Sequence, residues 1–413
     1  MTNTLTSIKK TTIFNFLEYV HPEKLELVKK IKNLSIVRSR LSQERDSKIR
    51  AEALDKFQDV ADMKHESMIS CISNVIINDE LHIVSGSYDS KIRIWNLSTC
   101  LPLYTLSDHT ETINCLISFT LDSRPVIISG SSDKSLKLWD AQTGTLQQTF
   151  LGHEDTVKCC LYFYSKFNGN LLISGSADYS IKIWDIRTGE LLSTLKNHTY
   201  RVNCLVHLDW EDGSSVFASG SADFTIKTWD ISAGKMLKTL NGHNDYINNL
   251  LFFKKDSEFL LISCSSDFTV KIWNSKTGLN LMTLEGHSRS VNNIVLLKIN
   301  EKEGIRKNLL ASSSADGIIK IWDINTGKHI HDLTGHKENI NGIVETKLEG
   351  YTSVLASAGS DKSVRLWNVL NGELIKSFVK HTRSVNQLMN IPWKKNMPIL
   401  VSSSLEKNVK LWR

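Results

Sequence analysis

After residue 64 the chain consists of short runs in which hydrophobic and polar positions alternate, such as SIKIWD at 180–185 and TVKIWN at 269–274. Tight turns of Ser, Ala and Asp separate some of these runs, and looser loops of Gly, Asn and Asp separate the others. A period of two residues, bounded by turn residues, is typical of half-buried β-strands. The pattern therefore predicts successive units of four short antiparallel strands.

Four residue types recur at fixed places in eight successive units. A histidine stands 30 to 35 residues before a tryptophan, an acid six residues before it, and a serine four residues before the acid. The tryptophans are Trp95, Trp139, Trp184, Trp229, Trp273, Trp322, Trp367 and Trp412, and the histidines are His65, His109, His153, His198, His243, His287, His336 and His381. The acids are Asp89, Asp133, Asp178, Asp223, Asp267, Asp316, Asp361 and Glu406. A period of this length indicates a repeat protein.

One four-stranded sheet leaves two apolar faces uncovered, so neighbouring units must stack, and a closed ring protects the first and last of them. The markers resemble the WD-repeat family, whose units run from Gly-His to Trp-Asp, and the resemblance covers about 349 of 413 residues. It implies an all-β fold, an eight-bladed WD-repeat β-propeller. In that family His, Ser, Asp and Trp form a hydrogen-bonded chain in each blade, which assigns one structural tetrad to His153, Ser174, Asp178 and Trp184.

Composition limits where the protein functions. The chain is 41% hydrophobic and 23% charged, and its longest apolar run falls well short of 18 residues, so we expect no membrane span. The N-terminus lacks the ordered regions of a secretory signal. We therefore expect an intracellular protein, in the cytoplasm, with the nucleus as the alternative.

Charge and cysteine usage narrow the class of partner. Of the net charge of +6, residues 1–64 contribute +4, with 13 Lys/Arg against 9 Asp/Glu, so the repeats have too little positive charge to predict nucleic-acid binding. Cys71, Cys115, Cys159 and Cys204 recur about 44 residues apart and no CxxC pair occurs, which favours small apolar core residues over metal ligands. We assign no metal, cofactor or catalytic residue.

The two ends of the chain depart from the repeat. Residues 1–56 have no repeat marker, and their apolar spacing predicts a short α-helical N-terminal extension that folds back on the propeller, pairs with its copy in a homo-oligomer or binds a partner. Residues 57–413 are assigned to the propeller. Because the last unit stops after Trp412 without an outer strand, we expect residues 57–64 to supply it. The fit is imperfect, since other outer strands have an apolar residue three positions before the histidine, where Asp62 stands here and Met63 follows.

Two further positions recur. Lys or Arg stands two residues before each tryptophan, and we expect its stem to pack along the strand with a solvated head. Five residues after the histidine, six units have asparagine, which the resemblance places near the mouth of the central channel. Those amides are expected to order channel water or to bind a peptide backbone or a basic side chain. They are Asn114, Asn203, Asn248, Asn292, Asn341 and Asn386.

Positions that differ between units are free to recognise a partner. By resemblance, the loop after each histidine and the turn around each acid lie on the narrow top face of the ring. In the third to fifth units these positions are unusually aromatic, and aromatics and arginine are common interface anchors. The partner-binding candidates are Tyr179, Tyr200, Arg201, Phe224, Tyr246 and Phe268. The alternative is that each ring packs on the adjacent blade.

Charged residues on the same face divide by sign, so a partner segment with an acidic end and an apolar end would fit it. The acids on earlier units are Glu66, Glu111, Glu154, Asp155 and Asp245, and the bases on later units are Arg289, Lys337, Lys362, Arg383 and Lys407.

These patterns favour a non-catalytic interaction scaffold for peptide or protein partners. An alternative is a substrate receptor of a cullin-type ubiquitin ligase, because residues 172–187, LISGSADYSIKIWDIR, resemble the WD-box that ends in Trp-Asp-x-Arg at Arg187. An enzyme is not predicted, since eight equivalent His/Asp/Ser sets do not single out one exposed nucleophile.

Overall fold

The computed structural model describes residues 59–165, 169–211, 213–255, 257–300, 306–391 and 398–412. The chain divides into two units, Met1–Lys56 and Phe57–Arg413, and every described residue belongs to the second. The predicted N-terminal helices therefore lie outside the described residues. Within the described ranges the chain forms strands joined by turns, and no helix there is long and apolar enough to cross a lipid bilayer.

Eight four-stranded antiparallel sheets, blades I to VIII, make up the described fold. Blades I to VII each take four consecutive strands, from the innermost to the outermost, and blade VIII takes its outermost strand from the start of the propeller. The first strand and those of blades I to IV are β1 (Asp59–Lys64); β2 (Ile69–Ile77), β3 (Glu80–Ser87), β4 (Ile92–Asn96), β5 (Pro102–Leu106); β6 (Ile113–Leu121), β7 (Arg124–Ser131), β8 (Leu136–Asp140), β9 (Thr145–Phe150); β10 (Val157–Ser165), β11 (Gly169–Ser176), β12 (Ile181–Asp185), β13 (Leu191–Leu195); β14 (Val202–Trp210), β15 (Ser214–Ser221), β16 (Ile226–Asp230), β17 (Lys235–Leu240).

Blades V to VIII continue the pattern. Their strands are β18 (Ile247–Lys255), β19 (Glu258–Ser265), β20 (Val270–Asn274), β21 (Asn280–Leu284); β22 (Val291–Asn300), β23 (Arg306–Ser314), β24 (Ile318–Asp323), β25 (His329–Thr334); β26 (Ile340–Thr346), β27 (Val354–Gly359), β28 (Val364–Asn368), β29 (Leu374–Phe378); β30 (Val385–Ile391), β31 (Ile399–Ser404), β32 (Asn408–Trp412). The innermost strands of neighbouring blades contact one another, and β30 also contacts β2, so the ring is closed. The fold is an eight-bladed β-propeller, as the repeat predicted.

The hydrophobic core lies between blades rather than within one sheet. One cluster joins Ile173 and Ile183 of blade III to Val202, Phe217 and Trp229 of blade IV, and all five side chains are buried. A blade with both faces apolar can bury them only against its two neighbours. This explains why β15 and β16 have nearly continuous buried positions.

Strand β1 completes blade VIII by pairing antiparallel with β32. Met63 lies opposite Val409, is 1% exposed and packs with residues of blades I and VIII, including Ile69 and Leu411. Asp62 lies opposite Lys410 and accepts a hydrogen bond from its ammonium. The apolar position of this outer strand is therefore taken by Met63, and the segment that leads to His65 is one residue shorter than in the other units.

The lysines two residues before the tryptophans are more buried than expected. Lys182, Lys227 and Lys271 are 7–8% exposed, and each Nζ donates to a threonine hydroxyl of its own outer strand at 2.9–3.0 Å. The prediction of solvated heads was wrong here, because the outer strand places a hydroxyl within reach of the ammonium. In blade VIII the carboxylate of Asp62 replaces that hydroxyl as the acceptor for Lys410.

Candidate functional site: the top face

The top face is the side of the ring that has the loop after each tetrad histidine and the turn between the second and third strands of each blade. In blade III the tetrad joins these two segments. His153 Nδ1 lies 2.7 Å from Asp178 Oδ2, and His153 Nε2 lies 2.8 Å from the Ser174 hydroxyl. Trp184 Nε1 donates to that hydroxyl at 2.9 Å. A neutral histidine that donates from Nδ1 and accepts at Nε2 satisfies every member of this chain.

The carboxylate of the tetrad also fixes the loop backbone. The amide of Glu154 donates to Asp178 Oδ2 at 2.9 Å, and the Ser180 hydroxyl donates to Oδ1 at 2.6 Å. Burial raises the pKa of Asp178, but the hydrogen bonds from His153, Ser180 and the Glu154 amide together hold it well below its usual value. Asp178 is therefore ionised at neutral pH, and the top-face loop and turn of the blade are held as one rigid unit.

Each of the other blades repeats the contact between histidine and acid, with Glu406 in place of Asp in blade VIII, where His381 Nδ1 lies 2.5 Å from Glu406 Oε1. The serine hydroxyls lie at the centre of these networks and are fully buried, as Ser174 is between His153 and Trp184. A nucleophile must reach its substrate, so this geometry places the Ser174 hydroxyl in a structural role rather than a catalytic one.

The residue after each turn acid has the left-handed backbone conformation that favours glycine. Blade VI has Gly317 there, at φ 79°, whereas Tyr179, Phe224 and Phe268 adopt φ of 69°, 71° and 73°. A side chain other than glycine in this conformation costs about 1–2 kcal/mol. The three aromatic side chains remain 43%, 40% and 45% exposed, so their partial burial offsets about as much free energy as the conformation costs and still leaves a large part of each ring for a partner to cover.

Four aromatic rings form a continuous row across blades III to V, which we call the aromatic row. Tyr179 stacks on Tyr200 with 5.4 Å between ring centroids and 18° between planes, and Tyr200 stacks on Tyr246 at 6.3 Å and 10°. Phe224 lies 5.8 Å from Tyr246 at a tilt of 39°. The gaps between the rings are too narrow for another ring to enter, so the row offers its exposed faces and edges as a surface.

Arg201 is the cation of this row. Its guanidinium carbon lies 5.8 Å from the ring centroid of Tyr200 and 5.1 Å from that of Tyr246, both within the range of a cation–π contact. The Arg201 backbone carbonyl accepts a hydrogen bond from the Ser221 hydroxyl at 2.9 Å, which holds the loop in place. The guanidinium has no ion pair with any described residue, so its N–H donors remain available to a partner.

The structure thus brings together five of the six candidates. Phe268 has the same strained backbone and the same exposure as Phe224, but it makes no ring contact with the aromatic row among the described residues. The rings of the row pack on one another across blades rather than into the core. The rings therefore contact adjacent blades, as the alternative interpretation expected, while Tyr179, Tyr200 and Phe224 stay 40–43% exposed, and partner binding through them remains a prediction.

The charged residues keep their predicted separation. The bases of blades VI to VIII are exposed, and Glu66, Glu111, Glu154 and Asp155 of blades I to III are exposed as well. Glu66 pairs with Lys91 at 3.2 Å, and the Asp155 and Asp245 carboxylates accept the amide of the next residue at 2.6 and 2.7 Å. The named acids thus lie on blades I to III and V, where they overlap the aromatic row, and the named bases lie on blades VI to VIII; exposed Lys134 on blade II and Glu338 on blade VII depart from this division.

The asparagines near the channel mouth have a role that the sequence did not reveal. In most blades the side chain five residues after the tetrad histidine donates to a backbone carbonyl at the start of the next blade's innermost strand, a contact we call the blade latch. The latches run from Asn114 to Val157, Asn203 to Ile247, Asn248 to Val291, Asn292 to Ile340, Asn341 to Val385 and Asn386 to Ile69, at 2.8–3.5 Å. These donors hold the ring together instead of facing a ligand.

The bottom face has a cleft of about 390 Å³ between blades II and III. An ion pair crosses its mouth, with Arg187 Nη2 of blade III 2.5 Å from Asp122 Oδ1 of blade II. Both side chains are more than half exposed. Val126, Leu138 and Ile186 line the cleft but are almost fully buried, so it offers little apolar area to a ligand. Arg187, the residue of the ligase alternative, is thus accessible on the face opposite the aromatic row.

Comparison with known families now places the fold. The model of the WD domain, G-beta repeat, matches eight segments of the chain: residues 59–96, 100–140, 144–185, 189–230, 234–274, 278–323, 327–368 and 372–413. The chain belongs to the WD-repeat family. Each matched segment begins with the outer strand of one blade and ends with the third strand of the next. The repeats of this WD-repeat protein are therefore interlocked around the ring.

Among solved structures, the WD-repeat chain is similar to the crystal structure of the computationally designed Ika8 protein. The two are 29% identical, the match covers 84% of this chain and 97% of that chain, and the TM-score is 0.68. A search of curated proteins found no match. WD-repeat propellers generally act as protein-interaction scaffolds, so the positions that differ between blades are where a specific role must be sought.

Proposed function

We propose that this WD-repeat protein is a non-catalytic scaffold that binds a peptide or protein partner on its top face, with the aromatic row as the apolar anchor. The observation behind the proposal is that Tyr179 and Phe224 have a strained backbone and stay exposed while joining a cross-blade stack. A partner that covers the row supplies the burial that the propeller does not.

The distribution of charge supports an oriented partner. Exposed bases on blades VI to VIII, such as Arg289, Lys337 and Arg383, face an acidic segment, while the aromatic row on blades III to V receives an apolar one. Solvent-exposed charges of this kind contribute mainly to the association rate and the orientation of a complex. The aromatic row contributes most of the affinity, because interface energy is concentrated in buried aromatic and arginine anchors.

Affinity purification of the full chain from cell extract, followed by identification of the recovered proteins, tests the proposal. Phe224→Gly serves as the test variant, since glycine suits the local backbone and removes only the ring. Ser90→Gly makes the same backbone change at the equivalent turn of blade I, away from the aromatic row, and is the matched control. The proposal requires a partner that Ser90→Gly retains and Phe224→Gly loses. A partner set unchanged by Phe224→Gly contradicts it.

The ligase alternative depends on a different face. Arg187 is accessible at the bottom cleft, but its guanidinium is already paired with Asp122. Substrate-receptor function requires that a cullin adaptor be recovered with the chain and be lost in Arg187→Ala. Recovery of partners that depend on Phe224 and not on Arg187 favours the scaffold without the ligase.

A further inference from the structure

One blade lacks the latch at the channel mouth. Where six other blades have asparagine and blade I has Ser70, whose hydroxyl donates to the Ile113 carbonyl, blade III has Lys158. Lys158 is exposed and makes no hydrogen bond or ion pair with a described residue. The carbonyl that a latch would reach, that of Val202 in blade IV, is contacted instead by Cys159 Sγ at 3.9 Å. The ammonium of Lys158 is therefore free at the channel mouth.

This cation lies on the blade next to the one that has Arg201. The contact between Cys159 Sγ and the Val202 carbonyl joins strand β10 to the start of β14, so the backbones of Lys158 and Arg201, each one residue earlier in the chain, lie on adjoining segments of blades III and IV. Arg201 is half-buried between two tyrosine rings and also lacks an ion pair with a described residue. Arg201 thus adjoins the exposed aromatic row, and Lys158, which also lacks an ion pair with a described residue, lies on the adjoining strand β10.

The surrounding acids limit which anion fits. Glu154 and Asp155 lie in the loop that leads to Lys158, and both are exposed. The Asp155 carboxylate accepts the amide of Thr156, and Asp178 is held in its tetrad. These negative charges offset part of the attraction that Lys158 and Arg201 exert on an anion, so the two cations match a single carboxylate better than a dianion such as a phosphate.

Resting on the proposed function, we propose that the junction of blades III and IV is a carboxylate subsite, in which Lys158 and Arg201 bind an Asp or Glu side chain of an extended peptide whose apolar neighbour lies on the aromatic row. The tyrosines keep the guanidinium oriented, so little side-chain freedom is lost when the carboxylate binds. The subsite selects a partner with an acidic residue next to its apolar anchor, in addition to the acidic segment that faces the bases of blades VI to VIII.

Selection of a library of short random peptides on the full chain tests the subsite. Selected peptides should pair an acid with an aromatic or large aliphatic residue. For such a peptide, replacing the acid by its amide, Asp→Asn or Glu→Gln, should weaken binding by about tenfold or more, as expected for loss of a charge-assisted hydrogen bond. Lys158→Asn and Arg201→Gln should each weaken the acidic peptide similarly and leave the amide peptide nearly unchanged.

Thermal melting of Lys158→Asn checks its folding, since asparagine forms the blade latch in six other blades. Its Tm should equal or exceed that of the wild type, because the amide can reach the Val202 carbonyl. Lys328→Asn removes the same charge from an exposed loop between β24 and β25 on the bottom face of blade VI, and should leave peptide affinity within about twofold of the wild type.

The outcomes separate this inference from the proposed function. The carboxylate subsite is overturned if the selected peptides contain no acid. It is also overturned if an acidic peptide binds the Lys158→Asn protein as tightly as the wild-type protein, and if the amide version of that peptide binds the wild-type protein as tightly as the acidic version does. If those same peptides still lose binding in Phe224→Gly, the proposed function stands without the subsite. If binding survives Phe224→Gly, the aromatic row is not the anchor and the proposed function itself fails.

Discussion

The ring of Tyr200 lies nearly parallel to the ring of Tyr246, with 6.3 Å between centroids, although the two residues belong to successive blades. Arg201 adjoins both rings. The stack therefore crosses the junction of blades IV and V on the top face. It forms a surface that depends on the spacing of the blades rather than on any single one.

The tetrads are expected to contribute stability. Asp178→Ala removes the acceptor for His153, Ser180 and the Glu154 amide, and leaves polar groups unsatisfied in a buried site. We expect a loss of about 1–3 kcal/mol in the free energy of unfolding, measured by chemical denaturation. Glu190→Ala, which removes one exposed acid from the same blade, is the control and should change little. A folded Asp178→Ala protein with wild-type stability would exclude Asp178 from the network.

The same networks predict loss of stability in acid. The pKa of Asp316 is held at about 2, against an ordinary value of 3.8: burial raises it, but hydrogen bonds from His287 and the backbone lower it more. A depressed pKa contributes stability that is complete above the unfolded-state pKa and is lost as the pH falls through the folded one. Burial also lowers the pKa values of His65 and His198 from 6.5, which destabilises the fold as the pH falls below that value.

The free energy of unfolding should therefore decline modestly below pH 6.5 and steeply below pH 4. Below pH 4 the tetrad carboxylates take up protons in the unfolded chain while they stay ionised in the folded one. Denaturant titrations at several pH values measure this profile. A stability that is flat from pH 7 to pH 3 would contradict ionised tetrad acids.

How much of this could be read from the sequence depends on the scale of the feature. Eight units and their tetrads were predictable, because His153, Ser174, Asp178 and Trp184 recur at spacings that only a repeated local fold maintains. The gathering of aromatics on blades III to V followed from the contrast between units. The role of Asn203 could not be predicted, because its acceptor is the backbone carbonyl of Ile247, 44 residues away. Every residue type supplies such a carbonyl, so the sequence does not mark it.

Two other features escaped prediction for related reasons. Phe268 has the same position in its unit as Phe224, but the row joins each turn aromatic to a tyrosine in the loop of the next blade, and blade VI has Arg289 and Ser290 where blade V has Asp245 and Tyr246. This pairing of a turn with the next loop was visible only in the structure. Asp62 interrupted the apolar pattern of the closing strand because the segment before His65 is shorter by one residue, which moves the core position to Met63. A pattern counted from the histidine cannot detect such a shift.

Ring closure provides a test of strand β1. Removing residues 1–64 exposes the backbone edge of β32 and the core position filled by Met63, whereas removing residues 1–50 leaves β1 intact. We expect the shorter protein to aggregate or melt at a lower temperature and the longer one to remain monodisperse in size-exclusion chromatography. Equal solubility and Tm for both truncated chains would show that blade VIII does not need β1.

Under the proposed function, the aromatic row binds a partner and does not merely pack the blades. Titration calorimetry of the purified partner with Phe224→Gly, Tyr246→Ala and Arg201→Ala, beside thermal melting of the same proteins, measures it directly. We expect each change to weaken binding by at least about 1 kcal/mol, as for interface anchors, with little change in Tm. Lower Tm with unchanged affinity in these variants would contradict the claim and make the row part of the propeller's own packing.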